Sequence, residues 1–194
     1  MDELASYHLS DFILFSQSTY FRLFELYNQV IWPLHILAII FACLIVYALW
    51  KKSAWAGRFI AAILVLSWSW VAVAFLYQRF YQIHVVANVY ALSFIVQALL
   101  ILWYGIIKNK LTVFSKSNVR IKAGSVLLLL SLSVYPFIAL ISGRNWQQFE
   151  MFALAPDPTA LATIAVLIFY KLPLVLYIIP VLWLLISAIT LSVM

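Results

Sequence analysis

The chain has 194 residues, of which 67% are hydrophobic and 9% charged. A soluble domain carries about 25% charged residues, so this chain has too few to cover a globular surface, and its solvent is a bilayer. The net charge of +6 therefore reports orientation rather than affinity for nucleic acid, and the single cysteine, Cys43, excludes an internal disulfide or a Cys-rich metal site.

Taken in chain order, Asp2 and Glu3 come early, with no basic n-region and no apolar core behind them, so no cleaved signal peptide is expected. His8 falls in a loose N-terminal stretch. Ser18 or Thr19 is placed to cap a helix. From there Tyr20, Phe21, Leu23, Phe24, Tyr27 and Ile31 recur at helical spacing, while Arg22, Glu25 and Asn28 face elsewhere. That pattern predicts an amphipathic helix in the outer interface. Such a helix either anchors the chain as it runs into the first span or covers an outer cavity. Residues 1–30 are thus an N-terminal segment and 31–194 a transmembrane domain.

A spanning helix needs about 20 apolar residues. Four runs qualify: Ile31–Trp50, Phe59–Tyr77, Val85–Ile107 and Ala123–Ser142. Beyond Pro156-Asp157-Pro158 the apolar stretch is too long for one span. Divided at Lys171–Leu172, it gives a short fifth span, Pro158–Leu172, and a sixth, Pro173–Val193, kinked at Pro180. The alternative is one long bent helix and five spans in all. The fold class is all-α integral membrane, with a short fifth helix after a Pro-Asp-Pro turn.

With six spans, Arg22, Arg79 and Arg144 are the three basic residues on the N-terminal side, and the other nine fall on the opposite side. The positive-inside rule then places both termini outside. The expected location is a plasma membrane.

The spans hold few groups able to do chemistry. Spans two, three, four and six have no Asp, Glu, Lys or Arg in their central portions, which argues against a proton pump or ion-coupled transporter, since those need buried carboxylates. Ser93 and Gln97 share a helix face and suit interhelical hydrogen bonds. Trp68 and Trp70 sit mid-span and suit packing. Polar residues concentrate at the outer ends instead, and Asn28, His35, His84, Asn88, Glu150, Asp157 and Thr159 are the candidate ligand-binding set. His35, His84, Glu150 and Asp157 are residue types that ligate divalent metals, although their spacing matches no metal motif. Asp157 has a structural reading as well: it is an N-cap, with Pro158 as first helical residue and its charge on the positive end of the helix dipole. No nucleotide loop, nucleophile–base spacing, HExxH or CxxC is present, and no catalytic residue or cofactor is predicted.

The segments ELYNQVIWPLHIL (25–37), FALAPDPTALATIAVLIF (152–169) and LVLYIIPVLWLLIS (174–187) together resemble an uncharacterised bacterial membrane family, domain of unknown function 6064. Tyr27, Asn28, Trp32, Pro33, Pro156, Pro158, Thr159, Pro180 and Trp183 carry the resemblance. It implies six spans, some members carry permease-like labels, and no activity comes with it. Where that family looks to have Cys between the two prolines, this chain has Asp157. A soft-metal or redox role would be lost there, while a capping role would improve.

Three functions stay open. The first is a small permease-like transporter with an outer-facing polar cavity. The second is a non-catalytic accessory subunit of a larger membrane complex. The third is an enzyme or metal site on the outer face. The lipid bilayer is the one expected partner common to all, with a homo-oligomer or a complex subunit as further candidates and no nucleic acid.

Overall fold

The computed structural model describes residues 15–51, 53–112, 114–170 and 172–193. The charge-bearing N-terminal residues Asp2, Glu3, His8 and Asp11, and the dividing Lys171, lie outside them. The described residues are helical, with no strand among them: α1 (Gln17–Ile31), α2 (Leu34–Lys51), α3 (Ala56–Trp70), α4 (Ala87–Ile101), α5 (Asn118–Leu129), α6 (Tyr135–Ile141), α7 (Pro156–Phe169) and α8 (Val175–Val193). Helix α3 runs on through a π-helical segment to Tyr77, α4 through another to Ile107, and a third, Leu130–Val134, joins α5 to α6.

Five apolar stretches are long enough to cross a membrane: Leu34–Lys51, Ala56–Gln82, Ala87–Ile107, Asn118–Ile141 and Val175–Val193. Large apolar side chains such as Ile36, Ile39, Ile40, Leu92, Leu99 and Leu182 are exposed on them. In water such surfaces would aggregate, and in lipid they are the contact face.

The expected fifth span is the exception. Helix α7 has 14 residues, which at 1.5 Å each reach about 21 Å, short of a hydrocarbon core about 30 Å thick. It is also not a lipid-facing element: none of residues 156–170 is exposed. Its C-terminal end is tied to the loop between α4 and α5, where Ser115 N–H donates to the Phe169 carbonyl at 2.7 Å. Its N-terminal end meets the loop between α6 and α7. It therefore connects the two ends of the bundle from within. Ala160, Ala162, Thr163 and Ala165 are fully buried, and their small size lets neighbouring backbones approach. Gly124 of α5 answers them: a Cβ there would lie 3.0 Å from the Phe169 ring and 3.2 Å from the Ala165 carbonyl.

Helix α1 is capped by Ser16, whose Oγ accepts from Thr19 N–H at 3.2 Å, not by Ser18 or Thr19. Its buried face differs from the expected one. Tyr20, Leu23, Phe24, Tyr27 and Ile31 are buried, but so are Glu25 and Asn28, because this face covers a polar loop rather than lipid. Gln97 makes the expected interhelical bond, donating to the Leu176 carbonyl at 3.0 Å. Ser93 does not: it donates back to Tyr90 O in its own helix. Trp68 packs on Phe94 and also donates to Thr163 Oγ1 at 2.8 Å, which fixes α3 to α7.

Candidate functional site

Asp157 is not a helix cap. The N-cap of α7 is Ala155, with Pro156 first and Asp157 second in the helix, and no side chain caps it. The physical reason lies in the two prolines. Neither has an N–H, so the first turn has fewer free donors for a cap to satisfy. The Pro-Asp-Pro segment is the first turn of the helix rather than a turn before it. The carboxylate looks elsewhere: Oδ1 accepts from Trp183 Nε1 at 2.6 Å, and Oδ2 from Tyr135 OH at 2.8 Å and Ser187 Oγ at 2.6 Å. Trp183 and Ser187 stand four apart on one face of α8. Tyr135 follows the π-helical turn that also brings Ser131 Oγ to the Pro158 carbonyl at 2.6 Å. Asp157 is buried, and three neutral donors hold it.

Glu150 is buried beside it. The loop that carries Glu150 folds under α1, so a residue that reads in sequence as lying outside the spans is enclosed by protein. Its Oε1 accepts from Arg144 at 3.4 Å, while Oε2 and Arg144 Nε have no hydrogen-bond partner. Burial, and then the negative charge of Asp157, push the Glu150 carboxyl up to about 8, against the opposing pull of Arg144. Burial and the same two acids hold the Tyr20 hydroxyl well above its usual range. The chain therefore holds buried carboxylates after all: among the described residues Glu25, Glu150 and Asp157 are buried, the last two delivered by a loop and by the first turn of α7.

Helix α1 seals the loop. Asn28 Nδ2 donates to the carbonyls of Gln147 at 2.9 Å and Phe149 at 2.8 Å. Tyr27 OH donates to Leu154 O at 3.0 Å and accepts from Trp70 Nε1 at 2.9 Å. His35 Nε2 lies 3.3 Å from Asn28 Oδ1, with its ring against Phe149. Thr159 closes the turn before α7, accepting from Ala153 N–H at 3.0 Å and donating to Ala155 O at 2.7 Å. Ala153 there has φ +69°. Asn28, His35 and Thr159 thus build the loop rather than face a ligand.

The remaining candidates lie apart. Asn88 is exposed. His84 sits in a ring cluster with Phe15, Phe80 and Tyr90, and burial lowers its imidazole below the usual range. Among the described residues no three His, Cys, Asp or Glu side chains gather as a metal site, so His35, His84, Glu150 and Asp157 are not brought together as a ligand set. Tyr135, Arg144, Trp183 and Ser187 are site residues outside the candidate set. For Ser187, its spacing from Trp183 was the available signal.

Beside Arg144 the surface has an open depression of about 800 Å³, lined by Thr19, Arg22, Gln82, Arg144, Asn145 and Gln148 among others. Arg144 is mostly buried, with its guanidinium 4.2 Å from the centre of the Phe21 ring. Arg22 and Glu25 form a separate ion pair, and Gln148 donates to Glu25 at 3.3 Å.

The model of the Family of unknown function (DUF6064) matches residues 17–193. The chain belongs to this family. The DUF6064 match takes in α1, the loop with Glu150, Asp157 and both of its α8 donors. No curated protein and no solved structure matches the chain.

Proposed function

We propose that this protein is a permease-like transporter that takes up one positive charge at a time at Glu150 and Asp157, through the depression beside Arg144. One observation carries the reading: two buried carboxylates, Glu150 and Asp157, act on each other's charge, and the one mostly buried guanidinium near them, Arg144, pairs with Glu150 alone. An unbalanced buried charge costs several kcal/mol, so one further positive charge, a proton or a cationic solute, belongs there. The unpartnered Oε2 of Glu150 has room for the proton. Arg144 stands between the open depression and the acids, as a gate that the protonation state of Glu150 loosens or tightens. The short α7, which starts at Pro156 and is enclosed by protein, resembles in length and burial the half-helices that line transport sites.

Orientation follows the charges. Lys51, Arg58, Lys108, Lys110, Lys116, Arg120 and Lys122 mark the cytoplasmic side of a bacterial plasma membrane. The depression and the acid pair then face outward, and α7 counts as the fifth, shortened traverse, which makes six in all and leaves the C-terminus outside.

The test is made in vesicles holding the purified protein and an internal pH dye. After an imposed pH jump, wild-type vesicles should equilibrate several-fold faster than protein-free ones, and the E150Q variant should match the protein-free rate. Wild-type vesicles that equilibrate no faster than empty ones, with or without added small amines, remove the transport reading.

A second reading has its own observation. A groove of about 650 Å³ runs between α2 and α5, lined by Ala38, Ala42, Cys43, Val46, Leu128 and Leu132 among others. Small residues of this kind admit a neighbouring helix, as an accessory subunit would require. A stoichiometric membrane partner retained in native mass spectrometry supports that reading.

A further inference from the structure

Behind the Asp157 donors lies a cavity of about 40 Å³ between α1, the turn at residues 80–84, α4 and α8. Its wall is a chain of rings. Trp183 lies 5.5 Å from Tyr90, Tyr90 5.8 Å from His84, His84 5.6 Å from Phe15, and Phe15 5.9 Å from Tyr20. Ser187 and Thr190 supply aliphatic hydroxyl oxygens beside the phenols of Tyr20 and Tyr90.

We infer that this cavity binds an ammonium ion or the terminal ammonium of a small primary amine, with the ring faces around it and Asp157 as its counter-charge. This deepens the transport reading, on which it rests for the solute's route, by naming the solute class.

Three features select a cation. Ring faces carry negative quadrupole density and attract ammonium groups. The two aliphatic hydroxyl protons are already committed, Ser187 to Asp157 Oδ2 at 2.6 Å and Thr190 to the Ile186 carbonyl at 2.8 Å. Both oxygens therefore present only lone pairs to the cavity, which suits a donor with no acceptor of its own. Finally, the Asp157 carboxylate is bound by neutral donors alone, and an ammonium one residue away offsets its charge. A water molecule, whose share of liquid volume is about 30 Å³, fits the space but leaves the charge standing. The volume excludes bulky quaternary amines.

The groups facing the cavity and the acids behind it are Tyr20, His84 and Tyr90 in the wall, Asp157 behind Ser187 and Trp183, and Glu150, Arg144 and Tyr135 around Asp157. A proton at Glu150 and a cation in the cavity balance the same negative charge, so each weakens the other. Transport then takes the form of exchange, amine against proton.

The full chain in detergent is titrated with ammonium chloride against sodium chloride of equal ionic strength, followed by calorimetry. Saturable ammonium binding is expected, weaker at lower pH, and not displaced by tetramethylammonium. Y90L and D157N should each weaken it about tenfold or more. Y90L keeps every Asp157 hydrogen bond, so it decides the matter if D157N fails to fold. Equal heats for sodium and ammonium, or a Y90L variant that binds like wild type, overturn the site. Binding in detergent with no flux in vesicles keeps the site and removes transport. Flux that depends on Glu150 with no ammonium binding does the reverse.

Discussion

Trp183 donates its indole N–H to Asp157 Oδ1 across 2.6 Å, joining residues twenty-six apart in the chain. The bond links the first turn of α7 to the middle of α8, and Ser187 repeats the link one turn later. Pro180, one turn earlier, leaves a carbonyl in that turn without its usual helical donor. Helix α8 is thus organised around a carboxylate that belongs to α7.

The first prediction concerns that bond. W183F keeps the ring packing and removes the donor from a buried acceptor. It should cost about 1–3 kcal/mol, read as a lower midpoint in thermal unfolding in detergent. D157N places an amide where three donors converge and should cost at least as much. An unchanged midpoint in both would show that the carboxylate is not held as described.

The second concerns pH. The folded-state value of Glu150 lies near 8, above its ordinary 4.5. The folded chain therefore holds this proton across a window in which the unfolded chain has released it. Its stabilising contribution is fully present below about 4.5 and is lost as pH rises through about 8. The melting temperature should fall between about pH 5 and pH 9, and E150Q should flatten that fall. A curve of equal slope in wild type and variant would sink the assignment.

The third concerns the loop clamp. N28A frees the carbonyls of Gln147 and Phe149 and leaves His35 without its partner. A loss of about 1–3 kcal/mol is expected, together with faster proteolysis in the segment at 145–155. T159V, which cannot accept from Ala153 N–H, should act in the same direction.

The fourth concerns close packing. A Cβ on Gly57 would lie 1.8 Å from the Leu111 carbonyl oxygen, a contact that only backbone movement relieves. G57A should cost about 1–3 kcal/mol or more, measured as loss of folded protein after mild heating. Gly143, which has open space around it, has φ +70°, so G143A tests backbone strain without a clash.

The fifth concerns orientation. With Cys43 replaced by serine, a cysteine at Lys116 should resist an impermeant thiol reagent in intact cells, and one at Gln147 should react. The reverse pattern would place the acid pair in the cytoplasm.

Much of this architecture was legible in the residues. Twenty-residue apolar runs without charge have one stable environment, and five of the six expected spans recur, in order, as helices long enough to cross a membrane, while the short fifth does not. The basic residues between them fixed the expected direction for the same reason. The prolines at 156 and 158 marked a helix start, since proline suits a first turn, but the turn expected at Pro-Asp-Pro lies before them. Gln97 was assigned an interhelical bond from its place in an apolar helix, and it makes one. What misled was local grammar. An aspartate beside a proline reads as a cap, and Glu150 in a polar loop reads as solvated, because neither pattern contains information on what folds over it.

The chain by itself determined the class of the protein: helices in lipid, few charges, and outer ends richer in polar groups. Only the tertiary structure decided which of those polar groups meet. It buried α7 from end to end, turned Asp157 away from its own helix toward Tyr135, Trp183 and Ser187, and folded Glu150 and Arg144 beneath α1. The reason is physical. Hydropathy is a property of each segment and is set before folding, whereas the burial of a carboxylate depends on three other segments arriving around it.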